Sequence, residues 1–274
     1  KEIKNHEYRV GMTPAGVYEL IRYGHQILVE TNAGLAIGYG DEDYIKAGAL
    51  IAKSAAEVFE RAEMIIKVKE PQASEYKMLR SGQLLFTFLH LAADQELAKG
   101  LLDSDCVAIA YETVTDDNGG LPLLAPMSEV AGRLAVQAGA HALEYHKGGC
   151  GILMGGVPGV KPANVVVIGG GVVGMNAARM AAGLGADVTV FDRNLNVLKK
   201  IDNDFNGRIK TIYSNHMNLE KAIRSAHMIV GAVLIPGAAA PKLVSRHMLK
   251  EMKKGAVLID GAIDQGGCFE TSEV

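Results

Sequence analysis

A chain of 274 residues, 49% apolar and 22% charged, can bury one large core or two of ordinary size, as a globular protein does. Its formal charge of -3 offers no net positive field for nucleic acid or an anionic membrane, so those partners are set aside. Cys106, Cys150 and Cys268 are odd in number, widely spaced and free of any C-x-x-C pair, which argues against a disulfide framework or zinc site and for a reduced compartment.

The opening KEIKNHEYRV is too polar for a signal peptide, and no later apolar run approaches a membrane span, so a cytoplasmic location is expected. Thr13 before Pro14 predicts a helix start, with a capping hydroxyl followed by a residue that needs no amide partner; Gly24 closes the helix. Strand QILVE, helix SAAEVFERA, strands MIIKV and LLFTFL, helix DQELAKGLL and strand VAIAY follow, a first α/β unit. After the turn-rich DDNGGLPLLAP, Ser128 is expected to cap a long helix running to about Tyr145 and bridging two domains, 1–125 and 126–274.

From Asn164 the alternation is regular: VVVIG, a helix over Val172–Leu184, DVTVFD, a helix over Leu195–Phe205, then RIKTIY, NLEKAIRSA, MIVGAV, SRHMLKEMKK and AVLID. Short continuous apolar strands separated by helices predict a parallel sheet covered on both faces. Gly169, Gly171 and Gly174 match G-x-G-x-x-G directly after a strand and before a helix, the context that gives the motif its meaning. The first glycine permits the tight turn, the second lets the backbone approach a pyrophosphate, and the third lets helix and strand pack closely, while Val172 and Val173 open the helix whose amides meet the phosphates. Asp192 ends the next strand, roughly 20 residues on, where a carboxylate accepts from ribose hydroxyls and repels a 2′-phosphate. NAD is therefore the expected cofactor.

Three polar residues stand at or near strand ends of the first unit: Lys69 after MIIKV, His90 after LLFTFL, and Arg9 in the opening segment. Taken singly, a strand-end lysine is ordinarily solvated, a lone histidine structural and an arginine near a terminus a surface charge. Each is nevertheless a candidate for the chemistry, because ligands meet α/β sheets at the ends of their strands.

The segments KEIKNxExRVGxTP, VKEP, FTxLHLA, AYETV, PMSEVAGR, GGVPGV, GAVLIPGAxAPxLV and IDQGGCFE occur in this order, and in them the whole chain resembles bacterial L-alanine dehydrogenases. The resemblance implies two Rossmann-like, doubly wound α/β domains flanking a cleft. It also implies reversible NAD-dependent conversion of L-alanine to pyruvate and ammonium, in a homo-oligomer that is usually a hexamer. By position, Arg9 and Lys69 match the substrate-binding pair, and His90 and Asp264 the acid/base residues. Met127, Ser128, Val233 and Leu234 match positions beside the cofactor, and Ser214 one near the adenosine. The chain departs from the family where members place an apolar strand before KEIKN and continue beyond FET, so the 1–125 domain is expected to lack its first strand and its returning helices. Val197 replaces a basic residue near the adenosine, and Gly261 a larger apolar one. Two other readings remain open at this point: the related NAD-binding component of proton-translocating transhydrogenase, and a truncated, non-catalytic NAD-binding protein.

Overall fold

The computed structural model describes residues 1–233, 235 and 240–273, with the side chains at 93 and 264 outside the described set. It divides into two compact units, Lys1–Leu121 and Pro122–Val274.

In the first unit, α1 (Pro14–Arg22) starts as its sequence dictates, the Thr13 hydroxyl accepting from the Gly16 amide at 3.4 Å. It leads to β1 (Leu28–Glu30), α2 (Asp41–Lys46), β2 (Leu50–Ala52), α3 (Ala55–Arg61), β3 (Met64–Ile66), α4 (Ala73–Tyr76), β4 (Leu84–Thr87), α5 (Gln95–Ser104) and β5 (Val107–Ala110). All strand pairs are parallel, but they form two ladders, β1-β2 and β3-β4-β5, each with its own apolar cluster. Val17, Val29, Tyr44 and Ala49 pack under the first ladder; Phe59, Ile65, Leu85, Leu97 and Leu101 pack against the second. The sequence pattern does not foretell α2 and β2. Six residues that begin Asp-Glu-Asp and a three-residue strand are too short to show a period, and the Tyr44 hydroxyl, donating to the Met12 carbonyl at 3.0 Å, ties this stretch down only in three dimensions.

The second unit contains α6 (Ala125–Ala142), β6 (Asn164–Ile168), α7 (Val172–Gly183), β7 (Asp187–Asp192), α8 (Leu195–Phe205), β8 (Lys210–Tyr213), α9 (His216–Ser225), β9 (Met228–Gly231), α10 (Arg246–Lys250) and β10 (Val257–Asp260). Its strands form one parallel sheet in the order β10-β9-β6-β7-β8. The side chains of β6 alternate between two cores: Val165 and Val167 join Ala177, Ala181 and Val136 on one face, and Val166 and Ile168 join Leu219, Ile223 and Met248 on the other. Both faces are thus dry, as the continuous apolar runs require. The chain leaves β6 toward β7 and later returns to its other side through β9, so the order reverses at β6 and opens a crevice at the C-terminal strand ends.

One expectation is corrected. The long helix begins at Ala125 with Leu124 as its cap residue, because Pro126 can stand in the first turn without an amide partner, and Ser128 lies inside that turn with its amide donating to the Leu124 carbonyl at 3.0 Å. The helix ends at Ala142; Tyr145–Lys147 form a separate 3-10 turn. It packs on α7, where Arg133 Nε donates to Asn176 Oδ1 at 3.1 Å and Asn176 Nδ2 donates to the Val172 carbonyl at 3.0 Å.

Candidate functional site

The three neighbouring strands β3, β4 and β5 point the same way, and each continues into a polar segment: Lys67 to Glu70, Leu89 and His90, and the turn Tyr111–Thr113. The C-terminal ends of parallel strands are where α/β sheets meet ligands. Here that edge is built from ion pairs.

His90 adopts a left-handed backbone (φ +50°, ψ +34°), uncommon for a residue with a side chain. The Glu112 carboxylate holds this turn, accepting from the amides of Leu89 at 3.0 Å and His90 at 2.7 Å. The imidazole stacks on Phe88, with centroids 5.9 Å apart and planes inclined by 16°, and its Nδ1 lies 3.1 Å from Glu70 Oε2. The other Glu70 oxygen pairs with the Lys4 ammonium. Burial by itself would raise the Glu70 carboxyl, but hydrogen bonds from His90 and Lys4 outweigh it and hold the group down at about 2. Behind Phe88, Tyr111 packs edge-on at 5.1 Å; burial and the Glu2 charge push its phenol up to about 12, so it stays protonated.

Arg9 lies at the edge of a cavity of about 370 Å³ lined by Glu2, Glu7, Tyr8, Asn32 and Leu35. Its guanidinium forks onto Glu7, with Nε to Oε1 at 2.8 Å and Nη2 to Oε2 at 2.6 Å, and its amide donates to Oε1 at 2.9 Å. Glu7 is held below the usual carboxylate range by the Arg9 hydrogen bonds against the opposing effect of burial, with a contribution from the Lys69 charge. Lys69 directly precedes Glu70, which holds His90.

Beneath this segment lies a buried ion triad. Lys67 Nζ is 2.7 Å from Glu75 Oε1 and 3.1 Å from Glu2 Oε2, and the remaining oxygens accept from the amides of Gln72 at 2.8 Å and Val68 at 2.6 Å. It pins both ends of the Lys69–Glu70 stretch.

In the second unit the phosphate loop closes over the β6 end. Gly169 sits at φ +101°, and a side chain there would meet the Ala232 carbonyl at 2.6 Å. A Cβ at Gly174 would collide with the Gly169 carbonyl, whereas one at Gly171 meets nothing within 4 Å. That open face, at the first amides of α7 beside Val172 and Val173, has the room and the donors that phosphate oxygens need. Asp192 Oδ2 accepts from the Gly170 amide at 2.7 Å and Oδ1 from Asn194 at 2.7 Å, which leaves lone-pair capacity on both oxygens for hydroxyl donors. Ser214 is buried at the next strand end, its amide donating to the Asp192 carbonyl at 2.9 Å. Val233 follows β9 and packs at the loop, 3.0 Å from the position of a Gly169 Cβ. Met127 and Ser128 lie in the first turns of α6, the helix that packs on α7. The Asp264 backbone lies in the turn Ile263–Gln265 after β10, with its side chain outside the described set; Leu234 lies outside the described residues. Val197, where a basic residue was expected, packs at the same loop, 2.6 Å from a Gly170 Cβ position. Burial pushes the Cys268 thiol up to about 11, so it is no nucleophile at neutral pH.

Residue-by-residue reading misses Lys4, Glu7, Glu70, Glu112 and the Lys67 triad. The alternation of Lys and Glu in KVKEP, at the end of an apolar strand, is a sequence signal for Lys67 and Glu70 alone.

The N-terminal domain pattern of the alanine dehydrogenase/PNT family matches residues 1–131, and its C-terminal domain pattern residues 135–274. The alanine dehydrogenase of Halomonas elongata is 60% identical over 273 residues, which is all of this chain and 74% of that protein. A solved L-alanine dehydrogenase structure superposes with a TM-score of 0.90 at 50% identity, covering 99% of this chain and 75% of the other. A transhydrogenase structure from Sinorhizobium meliloti superposes with a TM-score of 0.83 at 29% identity, covering 100% and 80%. With matching patterns over both units and 60% identity along its length, the chain belongs to the alanine dehydrogenase/PNT family.

Proposed function

We propose that this chain catalyses the reversible, NAD-dependent oxidative deamination of L-alanine to pyruvate and ammonium. The observation that carries the reading is the meeting of the Arg9 and His90 segments at one sheet edge. Glu2, which lines the cavity beside Arg9, bonds Lys67 and the Val68 amide, and Glu70, two residues further on, binds the His90 ring. The same chain carries a dinucleotide cradle.

Arg9 and Lys69 are assigned to the substrate carboxylate as its two cations. Bound NAD would supply the hydride acceptor for oxidation at the substrate Cα. His90 takes a proton from the water that adds to the resulting imine and returns it to the departing ammonia. Asp264 is assigned to the cationic iminium. Gly169, Gly171, Val172, Val173 and Gly174 hold the pyrophosphate, Asp192 and Ser214 the adenosine side, and Met127, Ser128, Val233 and Leu234 the rest of the dinucleotide. In this reading 1–125 is the substrate domain and 126–274 the NAD-binding domain. A homo-hexamer in the cytoplasm completes it, supported by three free cysteines and by the exposed apolar side chains of Leu153, Val157 and Val160, which such an assembly can cover. Among the described residues no helix is long and apolar enough to cross a membrane.

The test follows absorbance of NADH: the reading expects its formation from NAD with L-alanine, and its consumption only when pyruvate and ammonium are both present. Hydride exchange between NADH and an NADP analogue without any amino acid would favour the transhydrogenase reading, which the lower identity already disfavours.

A further inference from the structure

We infer that Glu70 is the positioning residue for His90, its carboxylate fixing the imidazole with Nδ1 as donor and leaving Nε2 to exchange the proton. The inference rests on the acid/base role given to His90 above. An ionised carboxylate only accepts hydrogen bonds, so the 3.1 Å contact to Glu70 Oε2 places the neutral ring's proton on Nδ1.

The surroundings are arranged for this. Phe88 fixes the ring plane, and Glu112 fixes the backbone through the amides of Leu89 and His90. Glu70 is 9% exposed at its side chain and cannot turn away, because Lys4 takes its other oxygen. Charged and titratable groups around the ring are therefore Glu70 in direct contact, Lys4 beyond it, Glu112 at the main chain and the protonated Tyr111 behind Phe88.

Two substitutions should move the imidazole in opposite directions. With histidine ¹⁵N-labelled in the intact chain, and His90 assigned by the signal lost in His90→Ala, a pH titration reports tautomer and proton affinity directly. Glu70→Gln should lower the proton affinity of His90 by about tenfold or more, as expected on losing an opposite charge at this range. Lys4→Met should raise it. Glu70→Gln should also lower kcat with little change in the KM for alanine or in NADH affinity, and move the acidic limb of the kcat/KM profile downward; Glu70→Asp should recover part of the loss. An unchanged titration in Glu70→Gln, or shifts of the same sign in both variants, would overturn the role. Should Glu70→Gln fail to fold, the Lys4→Met titration still decides, since no upward shift there contradicts it. Wild-type chain that titrates as described but forms no NADH with alanine would sink the activity and spare the pairing.

Discussion

The two units build their ligand-facing edges from opposite materials. At the end of β6 the dinucleotide cradle is backbone: glycines that leave room, amides at a helix start and one carboxylate, Asp192, that clasps the loop. At the ends of β3 and β4 the edge is made of charged side chains, several of them buried, each held by a partner from elsewhere in the chain. The first edge is defined by backbone and open space, the second by ion pairs and hydrogen-bonded side chains. Substitutions in one edge should therefore leave the other's measurable property nearly untouched.

The largest expected effect is on turnover. His90→Ala should lower kcat by about 10² to 10⁴, the span a positioned acid/base group supplies, while NADH fluorescence titration returns a near-native affinity. A comparable loss of NADH affinity would erase the distinction between the two edges. Next comes stability of the first unit: Lys67→Met strands the buried Glu2 and Glu75 carboxylates and should cost about 3–5 kcal/mol by denaturant unfolding, with the second unit's transition in place. A loss below ~1 kcal/mol would show that the triad is not desolvated as described.

Asp192→Gly sharpens the comparison from the other side. It removes the repulsion against a 2′-phosphate, so discrimination against NADPH should relax. It also removes the acceptor for the Gly170 amide, so NADH itself should bind less tightly, by about 1.5–3 kcal/mol. Relaxed discrimination with undiminished NADH affinity would mean that the loop needs no clasp. The smallest effect concerns pH. His227 Nδ1 accepts from the Asn164 amide at 2.8 Å, and burial followed by the Lys253 charge lowers its pKa from 6.5. The ring is neutral in the folded chain, so its contribution is complete above pH 6.5 and is lost as pH falls below that toward the folded value, where the unfolded chain binds the proton first. Melting temperatures should decline slightly over that window, and His227→Gln, whose amide oxygen can still accept, should flatten the slope.

The contrast also explains what the sequence discloses. β7 and α8 fall where DVTVFD and the segment from Leu195 to Phe205 predict them, and the glycine spacing identifies the cradle, because short-range pattern determines both. The partners of the other edge come from far along the chain: Lys4 to Glu70 spans 66 residues, Glu2 to Lys67 65 and Glu112 to His90 22. No local period records such pairings. His90, Lys69 and Arg9 stand out only as polar residues in or beside apolar strands, and Glu7, which holds Arg9, gives no signal at all. The start of α6 escapes for another reason. Ser128 has the chemistry of a cap, but Pro126 lets the helix begin four residues earlier, with Leu124 as its cap.

The claim that one chain joins a dinucleotide cradle to an amino-acid site is tested most directly by isotope. With NAD and L-alanine deuterated at Cα, the account predicts that the NADH formed carries the deuterium, in step with the appearance of pyruvate. Unlabelled NADH, or tight NADH binding with no turnover of alanine, would contradict it.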